Sequence, residues 1–318
     1  MEASRKFLHN SNKPARTEPP SDPLAAQANQ ASTGAACGSE QPIDRHSTGK
    51  PIALLIPVFC RQAKLNRALA SLTSEADLLE VIVIDDGSEP PIRIASQSTL
   101  DIHLIRLPTN QGLAQALNTG MKHAFEGDNT YIARLDSDDT VIAGRFRKQL
   151  EFMEKHPSVG ICGTGYHEYN QNGERQATVL LPKEDAGIRT GMHLRTTLWH
   201  PTVMIRASVA RRVGYFNPTC ISEDLDYFAR TLEISRAANL PEALICYEVG
   251  SSDALTGTTA RRRAIAREIL QQKWHRREPF CWLWWLGLLA AGFYYLGINR
   301  WLAPFRNMTM RLIERKAE

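Results

Sequence analysis

Residues 51–59 read PIALLIPVF, and this run decides the kind of fold that the chain can form. A strand with one face in water alternates apolar and polar residues, whereas this run is apolar throughout, as in a parallel sheet covered on both faces. Leucine and alanine follow at helical spacing over residues 61–72, and a second apolar run, LLEVIVIDD, occupies residues 78–86. This order predicts a strand–helix–strand unit with parallel strands.

The same alternation continues along the chain. A third short strand, DIHLIRL at 101–107, precedes a predicted helix over 113–125, and a fourth strand, YIARLD, occupies residues 131–136. Strands that alternate with helices predict an α/β fold with a doubly wound sheet flanked by helices. Such sheets bind ligands at the carboxyl ends of their strands.

The second half of the pattern is less regular. We predict a helix over 144–156, a strand over 159–169 and a hairpin turn at Asn172-Gly173. Residues 195–205, which carry His200-Pro201, are interpreted as another strand. The acidic segment 223–231 is interpreted as the start of a helix, because acidic side chains favour the first helical turn.

Composition indicates a globular protein and limits the classes of partner and site that it can have. Of the 318 residues, 43% are apolar and 23% charged, and the net charge of +4 is too weak to indicate a nucleic-acid partner. The six cysteines include no CxxC pair, so their spacing suggests neither a zinc site nor a disulfide framework. A reducing compartment fits this cysteine usage best.

The first 50 residues are polar and rich in Ser, Pro, Ala, Gln and Thr. Too few large apolar side chains are present to offset the entropy of ordering them. We therefore expect a disordered N-terminal leader over 1–50, with a small additional domain as the alternative. The α/β domain is expected over 51–260, followed by basic and apolar helices over 261–318.

An uncharged stretch over residues 280–298 has tryptophan and tyrosine near its two ends. As a helix it would be about 28 Å long, close to the thickness of a hydrocarbon core. Basic residues flank it on both sides and favour the cytoplasm, so a re-entrant hairpin or an interfacial helix fits better than a single span. The sequence predicts a membrane-associated C-terminal segment at the cytoplasmic face of the inner membrane, with a buried helix of the soluble fold as the alternative.

Three carboxylates crowd together after the fourth strand, at Asp136, Asp138 and Asp139. Like charges this close repel each other unless a cation lies among them. Mg²⁺ and Mn²⁺ take a few carboxylates and complete their coordination with phosphate oxygens and water, so the cluster suits a metal bound to a diphosphate. The alternative is an Asp turn or a helix N-cap. Arg134, in the preceding strand, is interpreted as a structural salt-bridge partner.

Two further acidic segments have both a functional and a structural interpretation. Asp85-Asp86 ends the second strand, where a carboxylate can bind a base or a ribose hydroxyl, or simply form a turn with Gly87. Glu223-Asp224 opens a predicted helix, where one carboxylate can act as a general base, or both can complement the helix dipole.

Five segments, in this order and spacing, resemble family 2 glycosyltransferases, the large inverting group with the GT-A fold. The segments are LLIPVFCRQAKLNRALASL (54–72), VIVIDDGS (81–88), NQGLAQALNTGMKHA (110–124), YIARLDSDD (131–139) and HPTVMIRASVARRVGYFNPTCISEDLDYFAR (200–230). The resemblance extends from residue 51 to about residue 247. It implies a GT-A type mixed sheet.

The resemblance also implies roles for individual residues. Asp85 would meet the uracil or another pyrimidine, in a pocket lined by Pro57 and Phe59, with Asp86 nearby. One departure concerns this pocket: Phe59-Cys60 stands where the family often has Tyr-Asn, at the first nucleotide contact.

The remaining roles concern the metal and the acceptor. Asp136 would approach the ribose and the sugar, and Asp138, with Asp136, would hold Mg²⁺ or Mn²⁺. Asp224 would be the general base, with Glu223 beside it at the acceptor. His200 would face the diphosphate or the acceptor, or else only pack before Pro201.

The implied activity is transfer of a sugar from a nucleotide diphosphate sugar, with a UDP-sugar expected, to a hydroxyl of a lipid-linked or cell-surface glycan. The expected partners are the donor, the acceptor and a membrane surface. A sugar-phosphate nucleotidyltransferase is an alternative, but IPVFCRQAKL lacks the glycine-rich phosphate loop expected there. A non-catalytic nucleotide-binding membrane adaptor is another. A glycoside hydrolase would need neither the metal motif nor a nucleotide pocket.

Overall fold

The computed structural model describes residues 49–96, 98–192 and 196–249. The predicted leader and the predicted membrane segment lie outside these residues. Within them, no helix is both long enough and apolar enough to cross a membrane.

The first four strands form the parallel half of the sheet. They are β1 (Ile52–Val58), β2 (Leu79–Asp85), β3 (Asp101–Arg106) and β4 (Tyr131–Arg134). They lie in the order β3-β2-β1-β4, with all neighbours parallel. Every residue of β1 and of β2 is buried, as the two continuous apolar runs predict.

The second half makes the sheet mixed. Its strands are β5 (Thr140–Val141), β6 (Val159–Tyr169), β7 (Arg175–Val179), β8 (Met204–Arg206) and β9 (Arg236–Glu248). From β4 the sheet continues as β8-β6-β9-β5, with β7 paired to β6. Because β8 runs antiparallel to both β4 and β6, it joins the parallel half to a second parallel pair, β6 and β9.

Helices cover the sheet. They are α1 (Gln62–Ala70), α2 (Leu113–Glu126), α3 (Arg145–Lys155), α4 (Asp185–Gly191), α5 (Ala207–Val213) and α6 (Glu223–Ile234). Short 3₁₀ turns occupy Thr73–Glu75 and His200–Thr202.

The sheet separates two apolar cores. Leu54 of β1 belongs to the core that contains Leu65 of α1 and Phe146 of α3. Its neighbour Leu55 belongs to the opposite core, with Leu117 of α2. Successive side chains of a strand point to opposite faces, so each strand contributes side chains to both cores. Full burial of one such leucine contributes about 1.5–3 kcal/mol.

The predicted strand over 195–205 is wrong for most of its described length. The chain forms the 3₁₀ turn His200–Thr202 and only then the short strand β8. Pro201 has no backbone N–H to donate to a ladder, so it interrupts the strand. The predicted hairpin turn at Asn172-Gly173 is confirmed between β6 and β7, with Gly173 at φ +78°.

Candidate active site

The candidate site lies where the parallel strands end. Val58 is paired with Asp85 at the ends of β1 and β2, and Leu55 is paired with Arg134 at the end of β4. The amide of Leu135 donates to the carbonyl of Leu55 at 3.1 Å, so the acidic segment that follows β4 begins beside β1. Tertiary structure therefore brings two of the acidic segments to one edge of the sheet, as predicted.

Asp85 is fully buried and already accepts three hydrogen bonds. Its Oδ1 accepts from the amide of Ser88 at 2.9 Å. Its Oδ2 accepts from the amide of Ile92 at 3.2 Å and from Nη1 of Arg106 at 3.1 Å. The turn interpretation of Asp85 therefore holds, while its contact with a pyrimidine stays a prediction.

Asp86 ties the end of β2 to the segment before α2. Its two carboxylate oxygens accept from the amides of Gln111 at 2.7 Å and Gly112 at 2.9 Å. Gly87 follows at φ +73°, and a Cβ atom there would lie 2.4 Å from the carbonyl carbon of Thr109. Only glycine allows the two segments to approach this closely.

The predicted lining residues Pro57 and Phe59 differ in exposure. Pro57 is buried within β1, whereas Phe59 is 45% exposed just beyond the strand. Cys60 has a left-handed φ of +53°, and its amide donates to Oγ of Ser88 at 2.8 Å. These contacts fasten the end of β1 to the turn after β2 and leave the ring of Phe59 at the surface.

The three aspartates after β4 have different surroundings. Asp136 accepts from Nη2 of Arg134 at 2.7 Å, and Asp138 pairs with Arg61 and lies 3.9 Å from Nζ of Lys64. Asp139 is 1% exposed, and neither of its carboxylate oxygens has a hydrogen-bond partner within the described residues.

The electrostatics of this cluster fit a divalent cation. Burial, opposed by Arg134 and reinforced by Asp138, raises the pKa of Asp136. Burial together with Asp136 and Asp138 holds the pKa of Asp139 well above its usual range. Together with Asp138, these two residues form a set of carboxylate ligands suited to Mg²⁺ or Mn²⁺.

Arg134 has a larger role than the sequence interpretation gave it. Its side chain is only 5% exposed, and it forms a salt bridge, with Asp136, as its interpretation as a salt-bridge partner implies. Its charge also partly opposes the burial that raises the pKa of Glu223 and Asp224, and it reinforces the lowering of the pKa of His200. Within the described residues, its Nε and Nη1 atoms have no hydrogen-bond partner. A buried arginine in an otherwise apolar strand was the signal in the sequence, because such a charge is retained only with compensation.

Glu223 and Asp224 begin α6, as predicted. Burial, reinforced by the charge of Asp224, raises the pKa of Glu223 to about 7. Burial also raises the pKa of Asp224, although its Oδ1 accepts from the amide of Leu225 at 2.9 Å. The charge of Asp136 raises both pKa values further. The aspartates that follow β4 are therefore close enough to the start of α6 to interact with it electrostatically.

His200 is both packed and directed toward this carboxylate pair. Its Nδ1 lies 3.9 Å from Oε1 of Glu223, and its ring contacts Phe216 and Phe228. Burial, reinforced by Arg134, holds its pKa well below the usual range, so the imidazole is neutral at pH 7. Its Nε2 has no hydrogen-bond partner among the described residues.

Comparison with solved structures agrees with this architecture. The structure of S. aureus TarS 1–349 in complex with UDP-GlcNAc aligns with a TM-score of 0.54 and 18% identity, over 79% of this chain and 72% of that one. The mannosyltransferase PcManGT from Pyrobaculum calidifontis, in complex with GDP-Man and Mn²⁺, aligns with a TM-score of 0.53 and 16% identity. The alignment covers 85% of this chain and 77% of PcManGT. The mixed sheet with flanking helices fits a GT-A fold.

Sequence comparison identifies the family. The putative glycosyltransferase EpsE of Bacillus subtilis is 35% identical over 208 residues, which are 62% of this chain and 73% of EpsE. The amylovoran biosynthesis glycosyltransferase AmsE of Erwinia amylovora is 29% identical over 209 residues, 63% of this chain and 76% of AmsE. The family model for glycosyl transferase family 2 matches residues 53–214. The chain therefore belongs to glycosyl transferase family 2.

Proposed function

We propose that this glycosyltransferase moves a sugar from a UDP-sugar to a hydroxyl of a lipid-linked or cell-surface glycan by an inverting displacement. The observation that carries the proposal is the pair of carboxylate clusters that share Arg134. One cluster follows β4 and the other begins α6, and both contain carboxyl groups with raised pKa. Raised carboxyl pKa values next to a specific charged partner are typical of functional sites.

At the donor end, Asp136 and Asp138 would hold Mg²⁺ or Mn²⁺, with Asp139 beside them. When bound, the ion supplies positive charge that stabilises the departing nucleotide diphosphate. Arg61 and Lys64, which contact Asp138, add positive charge at the same end, and we expect them to meet the diphosphate. The proposal of a metal is supported by PcManGT, a protein of similar fold whose complex with GDP-Man contains Mn²⁺.

At the acceptor end, Asp224 is the proposed general base. The acceptor oxygen forms a bond to the anomeric carbon while the bond from that carbon to the diphosphate oxygen breaks, and the hydroxyl proton passes to Asp224. Burial and the charge of Asp136 increase the basicity of Asp224, and Glu223 lies beside it. One displacement inverts the anomeric configuration, and no covalent enzyme intermediate forms.

The donor end is tested with a panel of UDP- and GDP-sugars supplied to the full chain with Mn²⁺. Asp138→Asn should lower the turnover of the sugar donor at least about 100-fold, because the metal site loses one charged carboxylate ligand. Asp128→Asn, at an exposed aspartate, is the matched control. Conversion of the nucleotide sugar to a nucleoside triphosphate and a sugar 1-phosphate, only when pyrophosphate is added, would indicate a nucleotidyltransferase. Absence of any turnover would indicate an adaptor.

The acceptor end is tested by Asp224→Asn with Glu233→Gln, an exposed residue at the far end of α6, as the control. The loss of a general base is expected to cost about 10²–10⁴-fold in kcat. NMR of the product should give an inverted anomeric linkage. Retention of configuration, or normal kcat in Asp224→Asn, would overturn the assignment.

We further propose attachment to the cytoplasmic face of the inner membrane through residues 261–318. The support is the uncharged aromatic stretch 280–298 and its basic flanks. Removal of residues 280–318 should release the protein from the membrane fraction. Continued sedimentation of the shortened chain with membranes would contradict this attachment.

A further inference from the structure

A second cluster of metal-ligating side chains lies at the opposite end of the strands. Glu80 is near the start of β2, where it is paired with Asp101 of β3, and His103 follows on β3. His123 lies in the last turn of α2. Asp85 is five residues farther along β2, about 16 Å away at 3.3 Å per residue. The cluster is therefore separate from the candidate active site.

The side chains of this cluster converge on one point. Oε1 of Glu80 lies 3.5 Å from Nε2 of His103 and 3.4 Å from Nε2 of His123. One ligand atom from each of the three residues lies within 4.8 Å of the others. Around a tetrahedral ion with bonds of about 2.1 Å, neighbouring ligand atoms are about 3.4 Å apart. The two carboxylate–imidazole distances match this spacing and exceed the usual 2.7–3.2 Å of a hydrogen bond.

The burial of these three side chains and their access to solvent also suit a metal site. The side chain of Glu80 is 1% exposed, while those of His103 and His123 are 36% and 21% exposed. A buried carboxylate requires positive charge beside it, and the two half-open imidazoles leave a path for an ion to enter. A further carboxylate lies beside the cluster, with Oδ1 of Asp101 3.7 Å from Nε2 of His103.

We propose that Glu80, His103 and His123 bind a divalent transition metal of the zinc type, with Asp101 or water completing the coordination. Two imidazoles and one carboxylate favour Zn²⁺, Co²⁺ or Ni²⁺, whereas the carboxylates of the candidate active site favour Mg²⁺ and Mn²⁺. The ion fastens β2, β3 and α2 to one another. Cysteine spacing gave no sign of this site, because it uses no cysteine.

The test compares metal binding by the full chain and its variants after treatment with a chelator. The wild-type chain should bind one more equivalent of Zn²⁺ than His103→Ala/His123→Ala. His156→Ala, at an exposed histidine just after α3, should bind as the wild type does. The same difference should persist when both chains also carry Asp136→Asn and Asp138→Asn, which separates the two sites. Equal stoichiometry and affinity in the wild type and the double-histidine variant would overturn the proposal.

A second readout does not depend on counting ions. Zn²⁺ should raise the Tm of the wild type and of His156→Ala but not that of the double-histidine variant. Should that variant fail to fold in the presence of chelator, Glu80→Gln preserves the side-chain shape and should weaken Zn²⁺ binding at least about tenfold. Unchanged Zn²⁺ affinity in Glu80→Gln would also overturn the site. Either result leaves the proposed transfer reaction untouched, since the two sites lie at opposite ends of β2.

Discussion

At the scale of single residues, Glu223 carries a large electrostatic cost. The folded chain holds its proton up to about pH 7, whereas the unfolded chain releases it near pH 4.5. Between these values the unfolded state binds fewer protons, so the free energy of unfolding falls as the pH rises. The ionised carboxylate costs the fold up to about 3 kcal/mol.

Replacement of this carboxylate should therefore stabilise the protein in alkaline solution. Glu223→Gln is expected to raise Tm at pH 8 and to change it little at pH 4.5, where the wild-type carboxyl is itself protonated. Thermal unfolding at both pH values measures the difference, and Glu233→Gln on the exposed end of α6 serves as control. An equal change at both pH values would mean that Glu223 does not titrate near neutrality.

Arg134 should affect both the pH profile of the reaction and the stability of the fold. Arg134→Met removes the positive charge beside Asp136 and near Asp224, so their carboxyl pKa values rise and the acidic limb of kcat/KM moves to higher pH. Arg134 is buried but Asp136 is 31% exposed, so water can solvate the carboxylate that is left behind, and urea unfolding should show a smaller loss of stability than for a fully buried pair. Arg134→Lys keeps the charge and should keep the position of the limb. A limb that stays in place in Arg134→Met would assign Arg134 to packing alone.

At the scale of elements, the pattern of apolar residues predicted the first half of the fold. The buried strands β1 and β2 and the helices α1 and α2 lie where the sequence places them, because continuous apolar runs and helical spacing are local signals. The predicted strand over 195–205 was wrong because Pro201 cannot donate a backbone hydrogen bond and interrupts the strand. The long strand β9 was not predicted, and its register shifts against β6 are set by partners far away in the chain.

The turn after β2 offers a matched pair of glycine substitutions. Gly87→Ala would bring Cβ within 2.4 Å of Thr109, whereas Gly173→Ala, also at positive φ, would meet no atom within 4 Å. Gly173→Ala should cost about 1 kcal/mol from backbone strain alone, and Gly87→Ala should cost more and weaken donor binding, because Asp86 and the segment before α2 must shift. Urea unfolding and donor affinity measure the two effects. Equal costs for the two variants would contradict the tight approach.

At the scale of the whole molecule, burial gathers carboxyl groups whose charge the fold disfavours. Asp136, Asp139, Glu223 and Asp224 all have raised pKa values. Each binds more protons in the folded than in the unfolded state, so together they make the free energy of unfolding decrease with rising pH. A cation that binds the folded chain at these groups would offset this cost.

Mg²⁺ should therefore stabilise the protein more at pH 8 than at pH 5. The cation binds ionised carboxylates, and these are more fully ionised at the higher pH. Differential scanning calorimetry with and without Mg²⁺ measures the change in Tm, and Mg²⁺ is used because the histidine cluster on β2, β3 and α2 binds it poorly. Asp138→Asn should lose most of the effect and Asp128→Asn none of it. Equal shifts at both pH values would place the bound ion elsewhere.

The sequence by itself determined the α/β class, the order of the first strands and helices, and the family, because apolar periodicity and short acidic motifs are written locally along the chain. Tertiary structure decided what each acidic group experiences. Asp85 became a structural acceptor, Arg134 the charge shared by two clusters, and Glu80 the partner of two histidines from neighbouring elements. Burial and charge proximity depend on which distant segments pack together, and no local pattern contains that information.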